Sequence, residues 1–313
     1  MTMDSLNFSI VLPAFNEAKI IGSVVMELKK AHPHAEILVI DDGSTDDTSH
    51  QAEQSGAKVV RHPYNMGNGA AIKTGARHAK EALVVFMDAD GQHSATDIHR
   101  LLAPLTLGYT MSVGARLPSS QASLARRLGN NALNQFASLL TGRPIPDLTS
   151  GFRAVRTDLF RNILYLLPNG FSYPTTSTMA FLRSGYPIIF IPIEAKKRIG
   201  KSKINLTTDG ARFFLVILKV ITLYAPMRVF LPASLVLFLL GLGRYIYVYL
   251  ESGHFTNMPA ILFSGSLLTF LMGLISEQIT TLHLSHSQPG YDPSHPKLFP
   301  SDERPTLTSV KES

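Results

Sequence analysis

Short apolar runs alternate with amphipathic segments along the first third of the chain. The apolar runs are FSIVLPAF (8–15), AEILVIDDG (35–43), AKVVRHP (57–63) and ALVVFMDAD (82–90). Each is almost continuously apolar and closes on polar residues or glycine, which is typical of strands buried on both faces of a parallel sheet. The amphipathic segments predict helices over Glu17–Ala31, Thr45–Ser55, Asn68–Glu81 and Ser94–Leu107. We therefore expect an α/β domain with a mostly parallel sheet.

Two much longer apolar segments follow in the C-terminal third. Residues 229–250 carry one charge, Arg244, and residues 258–276 carry none. At ~1.5 Å per residue, each segment reaches the ~30 Å thickness of a bilayer core. A short polar stretch between them forms a turn. The pattern predicts a transmembrane hairpin over 228–284, with spans of about 229–250 and 258–282. A helical hairpin buried in a soluble domain is the alternative.

The basic residues beside the hairpin predict its orientation. Arg212, Lys219 and Arg228 precede the first span, whereas the turn contains no lysine or arginine. By the positive-inside rule, residues 1–210 form a cytoplasmic domain and the turn lies outside. We therefore expect a multi-pass membrane protein, with the bacterial inner (plasma) membrane as its location.

Two further segments border the hairpin. Residues 211–227 include an apolar run of 13 residues, FFLVILKVITLYA, which is too short to span a bilayer and predicts an interfacial amphipathic helix. Residues 285–313 are polar and rich in proline, and predict a disordered cytoplasmic tail.

Composition narrows the classes of function. Of 313 residues, 45% are hydrophobic and 17% are charged, which excludes a disordered polyelectrolyte. The chain contains no cysteine, which excludes disulfides, thiolate zinc sites and cysteine nucleophiles. The formal net charge is +6, and five basic residues fall within 196–203 without an acid. We interpret this cluster as a phosphate-binding loop, with a solvated basic face or a positive-inside bias as the alternatives. We expect no nucleic-acid partner.

Polar residues gather at the carboxyl ends of the predicted strands. They form four groups: PAFNE (13–17), DDGS (41–44), NMGNG (65–69) and DADGQH (88–93). Ser44 or Thr45 is placed to cap the second helix. Ligands of parallel α/β sheets bind outside the carboxyl ends of the strands, so these groups predict one binding site. An Asp-x-Asp strand end supplies hard oxygen ligands, which suit Mg²⁺ or Mn²⁺ bridging a substrate diphosphate.

Taken in order, these motifs resemble a known enzyme family. PAFNE, IDDGSTDDT, NMGNGAAIKTG, MDADGQH, GAR and DLTSGFR are similar to the successive motifs of inverting family-2 glycosyltransferases with the GT-A (Rossmann-like) fold. More narrowly, the chain resembles the polyprenyl-phosphate sugar transferases, the group of dolichyl-phosphate mannosyltransferase and the bacterial undecaprenyl-phosphate enzymes. The resemblance covers roughly residues 6–205, and a two-span C-terminal hairpin also matches the bacterial members.

The resemblance implies which residues bind the nucleotide-sugar donor. The positions that resemble the base and ribose site are Pro13, Phe15, Glu17, Ile40 and Asp42. The positions that resemble the metal and diphosphate site are Asp88, Asp90 and Gln92. Further donor contacts are expected from Lys73, Lys201 and Ser202.

The resemblance also implies residues that face phosphate groups during transfer. Arg116 and Arg126 resemble the positions facing the acceptor phosphate, although Asn130 stands where a serine is usual. The segment RIGKSK resembles an Arg-x-x-Gly-x-Ser-Lys loop that meets the donor diphosphate. Here Lys197 occupies the usual arginine position and Arg198 follows it, so either side chain is a candidate.

This reaction would be a single displacement with inversion at the anomeric carbon. A cation held by the acidic strand end would neutralise charge on the leaving diphosphate. A lipid phosphate acceptor is already anionic and needs positioning rather than a general base. Asp147 is the candidate base if the acceptor is instead a hydroxyl, and its structural alternative is a helix cap or an ion pair with Arg153.

Several alternatives stay open at this point. The chain has no tryptophan and two spans, which argues against a processive polysaccharide synthase with its QxxRW motif. A membrane-anchored transferase acting on a glycan or glycolipid hydroxyl, and a non-catalytic nucleotide-binding membrane scaffold, remain. UDP-glucose, UDP-GlcNAc and GDP-mannose are all candidate donors. Thr175 and Thr176 either start a helix or line the sugar site, and Gly241–Gly243 would allow helices of a homo-oligomer to associate.

Overall fold

The structure is a computed structural model that describes residues 6–116, 124–170, 172–194, 225–254 and 256–285. The described strands are β1 (Ser9–Ala14), β2 (Glu36–Asp41), β3 (Lys58–Arg61), β4 (Leu83–Phe86), β5 (Met111–Arg116), β6 (Arg153–Arg156) and β7 (Ile188–Ile193). The helices of the sheet domain are α1 (Ile21–Ala31), α2 (Thr48–Gln54), α3 (Asn68–His78), α4 (Asp97–Thr106), α5 (Leu124–Thr141), α6 (Thr157–Asn162) and α7 (Tyr173–Arg183). Two long helices follow, α8 (Met227–Ser252) and α9 (Asn257–Ser285).

The described strands form one mixed sheet in the order β3-β2-β1-β4-β6-β5-β7. All neighbouring strands are parallel except β6, which runs antiparallel to β4 and β5. The prediction of a mostly parallel GT-A sheet is therefore confirmed. The order reverses around β1 and β4, so the loops after these two strands open at the same edge.

Helices α1 and α2 begin three to four residues later than their sequence pattern predicts. The backbone N–H of Asn16 donates to Ser44 Oγ at 2.9 Å, and that of Glu17 donates to Thr48 Oγ1 at 2.9 Å. The Thr45 N–H donates to Asn16 Oδ1 at 2.9 Å. These side chains compete with helical hydrogen bonds and hold both segments as interlocked loops. The prediction that Ser44 or Thr45 caps α2 is therefore wrong, because both residues bind the β1 loop instead.

The core lies on both faces of the sheet. Within β1, Ile10 and Leu12 pack on the face covered by α1 and α4, and Val11 packs on the opposite face with α3. All three side chains are fully buried. A smaller apolar cluster joins α5 to α7 around Leu133 and Met179. Burial on both faces explains why the strands read as continuous apolar runs.

The two C-terminal helices pack against each other as a hairpin. A Cβ added at Gly241 would lie 3.1 Å from Leu262 Cβ, and one at Gly273 would lie 2.7 Å from Phe230 Cβ. Ser266 Oγ also donates to the Ser234 carbonyl at 2.8 Å. Gly241, which the sequence offered for association between copies, is thus used inside the hairpin.

The outer faces of this hairpin are apolar and exposed. Met227–Glu251 and Asn257–Leu282 each reach a mean hydropathy of 1.9, yet only 11% and 17% of their most apolar windows are buried. A helical hairpin in a soluble core would be mostly buried. Exposed apolar surface of this extent indicates association with a membrane.

Candidate active site

The loop after β4 brings two carboxylates to the edge where the strand order reverses. Asp88 and Asp90 are both half-buried there, separated by a buried Ala89. Asp90 Oδ1 accepts the backbone N–H of Gln92 at 3.1 Å, and Gly91 makes the turn with φ +72°. A positive φ of this kind favours glycine. The turn is therefore built to present both carboxylates from one short segment.

His93 anchors the far side of that turn. Its ring is buried and stacks on Phe152 with centroids 4.6 Å apart. Burial lowers the pKa of His93 to about 4, so the ring is neutral at physiological pH. A neutral, packed imidazole fixes the end of the loop without adding a charge to the site.

The loop before β6 closes over Asp88. A Cβ added at Gly151 would lie 3.3 and 3.4 Å from the two Asp88 carboxylate oxygens and 3.2 Å from the Tyr173 hydroxyl. Tyr173 in turn donates to the Gly151 carbonyl at 3.2 Å. The glycine of the DLTSG motif thus allows a close approach of backbone to a carboxylate, and a larger residue would displace the Asp88 or Tyr173 side chain by a few tenths of an ångström. Tyr173, which the sequence did not single out, is the side chain that holds this approach.

Arg116 and Asp147 form a bidentate ion pair beside the acidic loop. Arg116 Nε lies 2.8 Å from Asp147 Oδ2, and Arg116 Nη2 lies 3.0 Å from Asp147 Oδ1. The side chains are 30% and 2% exposed. Thr149 Oγ1 accepts a further bond from Arg116 Nη2 at 2.8 Å. The two residues that the sequence assigned to acceptor binding and to base catalysis therefore bind each other.

This pairing sets the ionisation of both groups. Burial alone would raise the pKa of Asp147, but hydrogen bonds from Arg116 and its positive charge outweigh it and hold the pKa below its ordinary value. Burial would lower the pKa of Arg116, and Asp147 raises it above the ordinary value instead. Asp147 is therefore a weak base in this structure. Of the two structural alternatives for Asp147, the ion pair with Arg153 is wrong, because Asp147 pairs with Arg116.

Arg153 is instead fully buried under α7. Its guanidinium donates to the Pro174 carbonyl at 3.1 Å, to Ser177 Oγ at 2.7 Å and to Thr178 Oγ1 at 3.2 Å. It also binds the Ser150 carbonyl and lies 5.7 Å from the centre of the Tyr173 ring. Burial lowers the pKa of Arg153. These contacts join the β6 strand to the first turns of α7.

Thr175 and Thr176 lie in those same turns. They are 3% and 5% exposed, and Pro174 stands at the start of the helix. Thr176 Oγ1 donates to the Ser172 carbonyl at 3.1 Å. The structure therefore favours the helix-start interpretation of these threonines over a sugar-contacting wall.

The ends of β1 and β2 carry the predicted base and ribose positions. Pro13 pairs with Ile40 across the two strands, and the side chains of Phe15 and Glu17 are half-buried at the edge. Ile40 itself is fully buried in the core. Neither its side chain nor its backbone is accessible in this structure, and its role in nucleotide binding stays a prediction.

Asp42 has a defined structural role at the end of β2. Its carboxylate accepts the backbone N–H groups of Met66 at 2.9 Å and Gly67 at 2.8 Å, and lies 2.7 Å from His62 Nδ1. The side chain is 5% exposed. Asp42 therefore fastens the loop that leads into α3, and any nucleotide contact by its carboxylate would share these oxygens.

The loop that leads into α3 packs closely on the backbone before Gly170. A Cβ added at Gly69 would lie 2.1 Å from the Pro168 carbonyl oxygen. Lys73 Nζ donates to the Leu167 carbonyl at 3.2 Å and also to Asn169 Oδ1. Burial lowers the pKa of Lys73, and the nearby charge of Arg77 adds to the effect. In this structure Lys73 holds that neighbouring loop, and its role in donor binding stays a prediction.

Several predicted positions lie outside the described residues. These are Lys197, Arg198, Lys201 and Ser202 of the basic loop, most of the predicted interfacial helix 211–227, and the tail from residue 286. Arg126 falls in the first turn of α5, but its side chain is outside what the structure describes. Their assigned roles stay predictions.

The acidic loop fits a divalent cation of the kind the sequence predicts. Asp88 and Asp90 offer hard carboxylate oxygens, the ligand type that Mg²⁺ and Mn²⁺ prefer. Within the described ranges, no group of three or more histidine or acidic side chains is placed to hold a metal ion alone. A cation here would therefore need further oxygens, and a substrate diphosphate supplies them in many magnesium sites.

Comparison with known proteins places this geometry in a family. Residues 9–164 match the model described as "Glycosyl transferase family 2", and residues 225–282 match "GtrB C-terminal hairpin". Glycosyltransferase AglJ of Haloferax volcanii is 31% identical over 289 residues, covering 88% of this chain and 94% of the relative. The chain belongs to glycosyltransferase family 2.

Other relatives of this family-2 glycosyltransferase narrow the comparison. The dolichyl-phosphate hexose transferase of Haloferax volcanii is 29% identical, covering 70% of this chain and 95% of the relative. Among solved structures, a glucosyl-3-phosphoglycerate synthase from Mycobacterium tuberculosis in complex with Mn²⁺ and UDP is similar with a TM-score of 0.54 and 25% identity. That match covers 69% of this chain and 79% of the synthase. The enzyme is thus a glycosyltransferase related to polyprenyl-phosphate sugar transferases.

Proposed function

We propose that the enzyme transfers a sugar, with inversion, from a nucleoside-diphosphate sugar to a polyprenyl phosphate at the cytoplasmic face of a membrane. The observation that carries the proposal is the combination, in one chain, of the Asp88–Asp90 loop with an exposed apolar hairpin. The first suits a metal-bridged diphosphate, and the second suits an enzyme whose acceptor is confined to the bilayer. Relatives named for dolichyl-phosphate and undecaprenyl-phosphate transfer support the same acceptor class.

The Arg116–Asp147 pair favours a phosphate acceptor over a hydroxyl. Asp147 was the candidate base for a hydroxyl, but its lowered pKa and five hydrogen-bond contacts with Arg116 and Thr149 make it a poor one. An anionic phosphate oxygen needs no base. Arg116, with 30% of its side chain exposed, is placed to attract that anion and is oriented by Asp147.

Asp88, Asp90 and Gln92 are the residues that would hold Mg²⁺ or Mn²⁺. A bound divalent cation would supply electrostatic stabilisation of the leaving diphosphate. The chain's own residues orient the site around it, since the Gln92 N–H fixes Asp90 and the Gly151 backbone limits the space at Asp88. We further propose that residues 1–210 are cytoplasmic and that both apolar helices cross the membrane. The basic residues beside the first helix support that orientation.

Membranes containing the protein provide the test. Incubated with radiolabelled UDP-glucose, UDP-GlcNAc or GDP-mannose, they should form an organic-extractable, acid-labile sugar lipid from polyprenyl phosphate. Removal of divalent cations and Asp90→Asn should each abolish the product, because each removes the charge stabilisation of the diphosphate. Asp158→Asn, a carboxylate that is 60% exposed on α6, is the matched control and should retain activity.

Two outcomes would count against the proposal. Robust transfer to a water-soluble glycan, with none to polyprenyl phosphate, would favour the hydroxyl-acceptor alternative. Nucleotide binding without transfer from any of the three donors would favour a non-catalytic scaffold.

A further inference from the structure

We propose that Arg183 and Glu277 are positioning residues that set the orientation of the catalytic domain on the membrane hairpin. The consequence for transfer rests on the function proposed above, whereas the orientation itself is independent of it. Arg183 is the last residue of α7, and Glu277 lies in the final third of α9. Their side chains come from parts of the chain 94 residues apart.

The contact between them is short and partly shielded from water. Arg183 Nη2 lies 2.6 Å from Glu277 Oε1, and the side chains are 17% and 30% exposed. Glu277 is also the sole charged residue in the sequence of α9. A single carboxylate in an otherwise uncharged helix is costly at the edge of a membrane unless a cation meets it. The ion pair therefore favours one orientation of α7 relative to the hairpin.

A second polar contact ties the other hairpin helix to the same domain. Arg228, at the start of α8, donates through Nη1 to the Leu140 carbonyl and, at 3.4 Å, to the Leu139 carbonyl. These carbonyls belong to the last turn of α5, where helix carbonyls lack intrahelical partners. Val229 adds an apolar contact with the cluster between α5 and α7. Each hairpin helix thus has its own attachment.

The attachments border an open cleft between the domain and the hairpin. Its volume is about 440 Å³, and among the described residues it is lined by Leu182, Arg183, Ala225, Met227, Arg228 and Glu277. The Arg183–Glu277 ion pair joins the domain to the hairpin beside this cleft, and the direction of its bond constrains their relative orientation.

Helix α7 connects this junction to the acidic loop. Its eleven residues span ~16 Å, at ~1.5 Å per residue. At the opposite end of the helix the Pro174 carbonyl accepts a hydrogen bond from Arg153, and Tyr173 holds Gly151 against Asp88. A tilt of α7 relative to the hairpin would displace the catalytic loops relative to an acceptor phosphate at the membrane surface.

Charge reversal and charge exchange test the pair. The test variants are Arg183→Glu, Glu277→Arg and the double variant that exchanges the two residues, and Glu277→Gln is a milder change. Asp158→Arg on α6 is the control, because it reverses a charge in a different ion pair, that of Asp158 with Arg156. Because the chain has no cysteine, Tyr165→Cys and Leu250→Cys introduce two unique spin-label sites, 55% and 80% exposed, on the domain and the hairpin. Pulsed electron paramagnetic resonance in lipid nanodiscs then measures the distance distribution between them.

We expect a narrow distribution of label-to-label distances in the parent and in Asp158→Arg. The distribution should be broader in both single reversals and in Glu277→Gln, and narrow again in the exchange variant. In transfer assays, the single reversals should raise the apparent KM for bilayer-embedded polyprenyl phosphate about tenfold. The KM for the nucleotide donor should be unchanged, and the exchange variant should recover.

A distribution in Glu277→Gln as narrow as the parent's would overturn the proposal, as would an exchange variant that stays broad. If no variant or parent transfers sugar while the distances behave as expected, the proposed function fails and the positioning role stands.

Discussion

Asp147→Asn tests whether this carboxylate positions Arg116 or acts as a base. The substitution keeps the shape of the side chain and one acceptor oxygen, but replaces the other oxygen with an NH₂ group. That group would face donors of Arg116 that now lie 2.8 to 3.2 Å from the carboxylate. The Arg116 charge would lose its buried partner, since Asp147 is 2% exposed.

The size of the effect follows from that burial. Removing one partner of a buried ion pair costs about 3–5 kcal/mol. Because Arg116 is 30% exposed, water compensates part of the loss, and we expect the lower end, about 3 kcal/mol. Asp158→Asn breaks a pair whose carboxylate is 60% exposed, so its cost should stay under about 1 kcal/mol. Denaturant unfolding followed by circular dichroism measures both.

The pH dependence has a definite sign. The pKa of Asp147 lies below its ordinary value of 3.8 in the folded protein, so the ion pair stabilises the fold fully above that value. The contribution is lost as the pH falls below 3.8 through the folded-state pKa, and Asp147→Asn should lack this loss. In kcat/KM profiles between about pH 5 and 8, Asp147 should produce no inflection, because it stays ionised. The positioning role would be refuted if Asp147→Asn were as stable as the parent protein. It would also be refuted if the parent's kcat/KM profile had an inflection between about pH 5 and 8 that is absent in Asp147→Asn.

Two further predictions concern the fold around the site. Gly69→Ala should destabilise the protein by about 2 kcal/mol or more in denaturant unfolding, because its Cβ would lie 2.1 Å from the Pro168 carbonyl oxygen. The control variant is Gly170→Ala, whose Cβ would meet nothing within 4 Å, so its stability should be nearly unchanged. Equal stability of the two variants would contradict the close approach. Burial lowers the pKa of His32 in the folded protein, so the free energy of unfolding should fall as the pH drops below 6.5, the ordinary pKa of histidine. His32→Gln retains a donor to the Ala95 carbonyl and does not titrate, so it should flatten this dependence of stability on pH. An unchanged pH slope in His32→Gln would contradict this account.

Local sequence patterns predicted much of the architecture. The apolar runs of β1 to β4 lie within one or two residues of the observed strands at most ends, because strands buried on both faces have a continuous apolar signature. The two hairpin helices were predicted by length and hydropathy alone. Helix starts were less predictable, since the side chains of Asn16, Ser44 and Thr48 accept hydrogen bonds from backbone N–H groups of a neighbouring segment, which override local helical preference.

The sequence alone determined which residue types stand at the strand ends, including Asp88 and Asp90 after β4. Because neighbouring parallel strands point the same way, their carboxyl ends meet at one edge of the sheet, so the position of this acidic loop was also predictable. Only the tertiary structure decided which charges meet. Asp147 pairs with Arg116 at a separation of 31 residues, and Arg183 pairs with Glu277 at a separation of 94. Periodicity reports which face of an element is buried, whereas an ion pair depends on how whole elements are placed. The sequence contains several arginines that could pair with each carboxylate, and the tertiary structure determines which of them lies beside it.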